Sequence, residues 1–221
     1  MVSAHYSTYR YGVAAVLAML VCAPAARAQD TAPASSTSII EAAGPKPGDN
    51  GKRHLNVEGK DKGKYACFGL VQFDGAALKT TLDKKYGVGK YKVTGLTLEL
   101  ARSSASFSAA GKVNVYTLAG KVDAAALKYP LDLKGNLKPA LLGSIEFTVS
   151  AKAAGFAAAD ADKLDLIKGG KGAAIFTTLS TGGVVTLALA EGDSKVAATW
   201  AGKENSQVAA PTLNVTVTKK K

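Results

Sequence analysis

Cysteine, histidine and tryptophan are scarce in this chain: its 221 residues include two cysteines, two histidines and one tryptophan. Cys22 lies in an N-terminal apolar segment, so the chain that follows it has only Cys67, which excludes an intramolecular disulfide there. The same part of the chain has one histidine, His54, and therefore no Cys/His cluster for zinc and little basis for a histidine-activated nucleophile. We expect Cys67 to be a buried, unreactive thiol and His54 to be a surface loop residue.

Motifs for nucleotide binding and hydrolysis are also missing, including the Walker A, Gly-x-Gly-x-x-Gly and Gly-x-Ser-x-Gly patterns. A glycosidase needs two converging carboxylates, but Glu99 and Glu146 fall on the wetter faces of predicted strands, where solvated acids are ordinary. Asp160, Asp162 and Asp165 hint at calcium but lack the glycine and distal glutamate of an EF-hand loop, which favours a helix start instead. We expect a protein that is not an enzyme and has no cofactor and no metal site.

Long apolar runs are absent except at residues 13–23, a stretch too short to span a bilayer. Arg10 precedes this run, and the small-x-small sequence Ala26-Arg27-Ala28 follows it. The pattern predicts a signal peptide over residues 1–28, cleaved after Ala28, and a secreted or periplasmic protein without a transmembrane segment. Val21 precedes Cys22 where a lipoprotein signal needs a small residue, which disfavours lipidation.

Basic residues outnumber acidic ones, and the formal net charge is +11. Loss of Arg10 and Arg27 with the signal peptide lowers this to +9, and the remaining basic residues are lysines apart from Arg53 and Arg102. Because phosphate and base recognition favour the guanidinium fork of arginine, we expect no nucleic-acid partner. Lysine-based positivity suits diffuse attraction to a polyanion or simple solubility. Many of the lysines follow glycines in turn-like dipeptides, which favours a solvated surface over a binding patch.

Apolar residues alternate with polar ones along much of the chain, which predicts β-strands. Both faces are apolar around residues 65–73, so this segment should be a central strand. Further clear strands are predicted around Leu96–Leu100, Val113–Val115, Ile145–Val149, Val185–Leu189 and Leu213–Val217, a short strand at Leu55–Val57, and weaker ones at residues 38–41, 106–109 and 127–133.

Helical patterns are few, at residues 76–85, 157–167 and 171–179. We therefore predict an all-β protein, an antiparallel jelly-roll-like β-sandwich with one or two short helices. Residues 29–37 should be a flexible lead-in, residues 38–218 a single domain and residues 219–221 a charged tail. The predicted core includes Leu98, Val115, Phe147, Leu187 and Val215.

Exposed aromatic rings with polar neighbours are typical of sugar-binding surfaces. Trp200 lies in a loop-like stretch, Tyr116 on the polar face of its strand and Tyr129 beside a turn, so these three are candidate stacking surfaces. Polar contacts beside Trp200 would come from Lys203, Glu204 and Asn205. The alternative is that Trp200 plugs the end of the sandwich core.

Four segments together resemble DNRLRE-type extracellular modules, β-sandwiches related to carbohydrate-binding modules, as in exported proteins of planctomycete-type bacteria. They are residues 65–74 (YACFGLVQFD), 93–101 (VTGLTLELA), 111–118 (GKVNVYTL) and 211–217 (PTLNVTV), and the resemblance extends over residues 38–218. It implies a jelly-roll sandwich that binds extracellular polysaccharide, with acidic glycans suggested by the lysine excess. The alternative partner is a component of the cell envelope, with the protein in a structural or adhesive role there or in the extracellular matrix.

Overall fold

The alternating segments form two antiparallel sheets in the computed structural model, which describes residues 27–31, 33–46, 48–103, 108–134, 137–149, 161–168 and 170–220. The strands of these ranges are β1 (Arg27–Thr31), β2 (Pro33–Ile40), β3 (Gly44–Pro45), β4 (His54–Glu58), β5 (Cys67–Asp74), β6 (Tyr91–Ala101), β7 (Gly111–Leu118), β8 (Ala140–Phe147), β9 (Ala161–Asp165), β10 (Val184–Glu191), β11 (Ala197–Ala201) and β12 (Thr212–Lys219). The helices are α1 (Gly48–Arg53), α2 (Ala76–Tyr86) and α3 (Gly172–Ser180), with 3₁₀ turns at Lys60–Tyr65 and Ala124–Ala126.

The smaller sheet has the strand order β1-β12-β6-β9, and the larger has β11-β4-β5-β10-β7-β8 with β2 also paired to β5 and β3 to β2. Every pairing between these strands is antiparallel. The β4–β11 ribbon joins the larger sheet through the single pair Glu58–Cys67, and β11 meets the end of β6 through an Arg102–Trp200 bridge. The predicted all-β sandwich is confirmed, while its jelly-roll connectivity stays a prediction.

The main core lies between the two sheets, because the strands from β4 to β12 turn apolar alternate residues inward. In the larger sheet Leu187 pairs with Val71, and in the smaller sheet Leu98 pairs with Leu213. The five residues predicted for the core are all at most 2% exposed, namely Leu98, Val115, Phe147, Leu187 and Val215. The period-two pattern therefore identified the buried face correctly.

A second apolar layer covers the outer face of the larger sheet. Phe68 and Leu70 of β5 pack there with Ile39, and the connection between β7 and β8 lies across them. This connection contributes Val122, Leu127 and Leu131 to the layer. It explains why β5 is apolar on both faces. The weak strand predicted at residues 127–133 is wrong, because this segment has no strand partner and covers the sheet as a loop.

The helices close one end of the sandwich. Leu78 and Leu82 of α2 and Ile175 and Leu179 of α3 are buried in the main core, and the two helices contact each other. The helices predicted at residues 76–85 and 171–179 are confirmed. No helix in the described residues is long and apolar enough to cross a bilayer.

The helix predicted over residues 157–167 is wrong where the structure describes it. Residues 161–165 form β9, an edge strand in which Leu164 lies opposite Leu98 of β6. Pairing with β6 and packing against the core override the helical preference of the alanine-rich sequence. Residues 157–160, including Asp160, lie outside the described residues.

Strands also occupy most of residues 29–37, where a flexible lead-in was predicted. Residues 29–31 belong to β1, which pairs with β12, and Pro33–Ile40 pairs with β5. Within this segment, Oγ of Ser35 donates to Oε1 of Gln72 at 3.2 Å, and Oγ of Ser36 accepts from the Lys203 amide at 2.6 Å, so these two serines have defined partners. Residues 1–26, most of the predicted signal peptide, lie outside the described residues, as do residues 106–107 of the weak strand predicted at 106–109.

Candidate functional site

Trp200 belongs to the core and presents no face to a ligand. It lies in β11, where it pairs with Leu55 of β4, and its exposed fraction is 0%. Its ring meets Phe147 edge to face, with centroids 5.6 Å apart at 83°. The expectation that Trp200 is exposed in a loop is therefore wrong. Its burial fits the alternative, that the ring plugs the end of the sandwich core.

A buried ion pair holds the Trp200 ring in place. The indole Nε1 donates to Oδ2 of Asp162 at 2.8 Å. Arg102 donates to the same carboxylate twice, from Nε at 2.9 Å and from Nη2 at 2.6 Å, and its guanidinium lies 4.7 Å from the Phe147 ring centroid. Bidentate, charge-assisted pairs of this kind fix geometry. The cluster therefore joins β6, β8, β9 and β11 and has a structural role.

The other two predicted stacking residues lie elsewhere. Tyr116 and Tyr129 are half-buried and pack against the outer apolar layer, on the opposite face of the larger sheet from the main core. The hydroxyl of Tyr129 donates to Oε1 of Glu191 at 3.0 Å, and burial together with this carboxylate raises the pKa of Tyr129. The structure does not bring Trp200, Tyr116 and Tyr129 together into one surface.

The predicted polar contacts divide into one structural residue and two that line a groove. Oδ1 of Asn205 accepts hydrogen bonds from the amides of Gln207 and Val208 at 2.9 and 3.0 Å, and Nδ2 donates to the Arg53 carbonyl at 3.0 Å. These bonds shape the turn between β11 and β12. Lys203 and Glu204 instead face a groove of about 840 Å³.

This groove, called the lysine groove below, brings together four lysines from four separate segments. They are Lys46 after β3, Lys52 in α1, Lys121 after β7 and Lys203 after β11. The rest of its lining consists of Ser35, Ser36, Thr37, Pro45, Leu70, Gln72, Val122, Asp123, Ala124, Ala125 and Glu204. The described residues that line it include hydroxyl and amide groups but no aromatic ring.

Buried polar contacts hold the walls of the lysine groove. Nε2 of Gln72 donates to the Val122 carbonyl at 2.5 Å, and its Oε1 accepts from Ser35 at 3.2 Å, so β5, β2 and the β7–β8 connection are joined. On the other side, the Lys203 amide donates to Oγ of Ser36 at 2.6 Å. Because these bonds are internal to the protein, the groove is formed before any ligand binds.

Positive charge dominates the lysine groove. Among its described lining residues, two are carboxylates: Oε1 of Glu204 lies 3.6 Å from Nζ of Lys52 at the exposed rim, and Asp123 accepts a hydrogen bond of 2.9 Å from the Ala125 amide. Lys46 is half-buried, and its Nζ donates to Oδ1 of Asn56 at 3.1 Å. In the part of the lining that the structure describes, four ammonium groups face two carboxylates, and this excess of positive charge attracts anions.

His54 and Cys67 both lie in strands and are at least partly buried. His54 is not in a loop: it begins β4, half-buried, with Nδ1 3.0 Å from Oγ of Ser103. Its pKa is lowered by burial and then by the charges of Lys46 and Arg53. Cys67 is 2% exposed, which confirms its predicted burial, and burial raises the pKa of its thiol to about 12. The low reactivity expected of this thiol stays a prediction. Among the described residues, no cluster of His, Cys, Asp and Glu could hold a metal ion.

No protein-family model matches the chain, and no curated protein matches it. The functional inference therefore depends on the fold and on the chemistry of the lysine groove.

Proposed function

We propose that this is an exported, non-catalytic protein that binds an acidic extracellular polysaccharide in the lysine groove. The observation that carries the proposal is the convergence of Lys46, Lys52, Lys121 and Lys203 on one preformed groove. Its volume of about 840 Å³ is within the range of ligand sites in proteins, roughly 300–1,000 Å³. Export follows from the predicted signal peptide, and the jelly-roll connectivity from the resemblance described above.

The chemistry of the groove suits carboxylated or sulfated sugars. An ammonium group is a point charge that can bind an anion approaching from several directions, whereas the planar guanidinium of an arginine would favour one geometry of the bound anion. The hydroxyl groups of Ser35 and Thr37 line the same groove and suit the hydroxyl groups of a sugar. Because the described lining lacks aromatic rings, charge and hydrogen bonding would supply the binding energy in this groove.

The carboxylates of the groove support a binding role more than a catalytic one. Asp123 caps the turn at Ala125, and Glu204 pairs with Lys52 at the exposed rim. An acid–base pair needs one carboxyl group with a raised pKa beside an ionised one. The two carboxylates are instead engaged separately, one in a turn and one in an ion pair at the rim, and the structure does not pair them with each other.

The test compares charged and neutral polymers by isothermal titration calorimetry. We expect polygalacturonate and dextran sulfate to bind, neutral dextran not to bind, and the affinity to fall with added salt. The variant Lys121→Gln/Lys203→Gln removes two charges from the groove. At about 0.2–1 kcal/mol for each exposed charge interaction, its affinity should fall about 2- to 30-fold.

The matched control removes two exposed lysines elsewhere, in Lys84→Gln/Lys92→Gln. It has the same net charge as the groove variant and should bind as the wild type does. An equal loss in both double variants would mean diffuse attraction and no groove site. Failure of the wild type to bind any polyanion would favour the structural or adhesive role, and release of sugars from the polymer would refute the non-catalytic role.

A further inference from the structure

A second, smaller cavity adjoins the lysine groove. Its volume is about 360 Å³, and it shares Lys46 with the groove, so the two are neighbours along the β2–β3 edge. The other residues that line it are Ser38, Ile40, Asn56, Glu58, Tyr65 and Cys67. This cavity, called the tyrosine subsite below, differs in chemistry from the groove because it combines an aromatic ring with a carboxylate.

Tyr65 offers an open aromatic face at this subsite. It is 62% exposed and is the one aromatic among the large hydrophobic side chains that the described part of the chain exposes. The Nζ atom of Lys64 lies over one face of the ring, 5.2 Å from its centroid, so a sugar would stack on the opposite face. An aromatic ring against the C–H face of a sugar is a common recognition mode, and this ring is available without rearrangement of the core.

The backbone around Tyr65 is fixed on both sides, so the position of the ring is set by the fold. Before it, the Lys60 amide donates to Oε2 of Glu191 at 2.6 Å, and the Asp61 amide donates to the Ser194 carbonyl at 3.0 Å. After it, the Ala66 amide donates to the Gly63 carbonyl at 2.7 Å, and Ala66 is fully buried. The 3₁₀ turn therefore holds Tyr65 outward between two anchored points.

Glu58 determines what kind of sugar ring fits beside Tyr65. Its carboxyl group is half-buried, and burial raises its pKa while Lys46 and Lys62 act in the opposite direction. A carboxylate accepts hydrogen bonds from sugar hydroxyls and repels a carboxylate or sulfate on the ligand. The tyrosine subsite therefore suits a neutral ring, whereas the lysine groove suits an acidic one.

We infer that the tyrosine subsite binds the neutral sugar that adjoins an acidic sugar in the lysine groove, so that the ligand is a polysaccharide with alternating acidic and neutral units. This inference rests on the function proposed above. Lys46 lies between the two sites, held by Asn56, and contributes to both. Tyr65 and Glu58 then determine specificity, and the lysines supply the attraction.

The test uses two hexasaccharides of equal length and calorimetric titration. One is hyaluronan, in which glucuronate alternates with N-acetylglucosamine, and the other is oligogalacturonate, in which every ring is acidic. Wild-type protein should bind the alternating hexamer more tightly. Tyr65→Ser should weaken that binding about 2- to 10-fold and leave the all-acidic hexamer unchanged, and Tyr65→Phe, which keeps the ring, should bind as the wild type does.

Glu58→Gln tests the subsite independently, because it should strengthen binding of one hexamer, whereas Tyr65→Ser should weaken binding of the other. Removing the negative charge should tighten binding of the all-acidic hexamer and so reduce the preference between the two ligands. The subsite is refuted if Tyr65→Ser and Glu58→Gln leave both affinities unchanged while Lys121→Gln/Lys203→Gln still weakens them, and in that outcome the proposed function stands. If the wild type binds neither hexamer nor any larger polyanion, the proposed function fails and the subsite fails with it.

Discussion

Replacing Trp200 by alanine should destabilise the fold and have no direct effect on ligand binding. The indole is fully buried, contacts Phe147 edge to face at 5.6 Å and donates to Asp162 at 2.8 Å. Trp200→Ala removes all of these contacts at the point where β11 meets the end of β6. Trp200→Phe keeps an aromatic ring but removes the indole N–H, so the two variants separate packing from hydrogen bonding.

The cavity dominates the expected cost of Trp200→Ala. Truncating a buried tryptophan to alanine typically costs about 3–5 kcal/mol. A lost hydrogen bond to a charged group adds about 1.5–3 kcal/mol, but Asp162 keeps both bonds from Arg102, so we expect the low end of that range for Trp200→Phe. At about 2–4 °C per kcal/mol for a domain of this size, the melting temperature should fall by about 6–20 °C for alanine and by about 3–6 °C for phenylalanine.

Thermal unfolding followed by far-ultraviolet circular dichroism measures both variants, since Trp200 is the only tryptophan and its removal eliminates the fluorescence signal. In the wild type, that single tryptophan should emit at short wavelength and shift to the red on unfolding. Val88→Ala, at a side chain that is 78% exposed, is the control and should melt as the wild type does. If Trp200→Ala melts with this control and yet loses polysaccharide binding, the residue is an exposed binding surface and our interpretation of it fails.

Two further predictions concern titratable groups. Because burial raises the pKa of Cys67 to about 12, the thiol should resist a disulfide reagent in the native protein at about pH 8 and react fully in urea; rapid labelling of native protein would contradict its burial. The hydrogen bond from Lys79, helped by one from Tyr91, lowers the pKa of Asp83. The stabilisation from this carboxylate is therefore fully present above its unfolded pKa of about 3.9, and it is lost as the pH falls through the lower folded pKa. Acidification through this range should therefore lower the urea concentration at the unfolding midpoint less for Asp83→Asn than for the wild type. If the midpoints of the two proteins fall in parallel with pH, the assignment to Asp83 is refuted.

The sequence predicted the strands well because their pattern is local. Leu96, Leu98 and Leu100 alternate with polar residues, and this alternation alone identifies the buried face. It predicted β9 and the lead-in poorly, because alanine, serine and threonine have weak preferences and the choice was made by pairing with β6 and β5. The apolar outer face of β5 was visible in the sequence, but the segment that covers it was not.

The candidate site depended more strongly on tertiary structure. Lys203 and Glu204 were predicted as site residues because they follow Trp200, yet they line the groove because the turn shaped by Asn205 faces β2. Trp200 was misplaced because a lone tryptophan between Thr199 and Ala201 gives no alternation that would indicate a strand. Tyr65 precedes a strongly apolar strand, so the pattern grouped it with that strand, although the 3₁₀ turn directs its ring outward.

By itself, the sequence determined the fold class, the inward-facing residues of the main strands, and the burial of Cys67, because each follows from short-range pattern or from composition. Only the tertiary structure decided which lysines converge, since Lys121 and Lys203 are far along the chain from each other and from Lys46 and Lys52, and no local pattern couples them. The same holds for Asp162, whose bonds to Arg102 and Trp200 connect residues from three strands or strand ends. The periodicity of apolar residues is a local property of the sequence, whereas the net charge of a groove is the sum of the charges on side chains that only folding brings together.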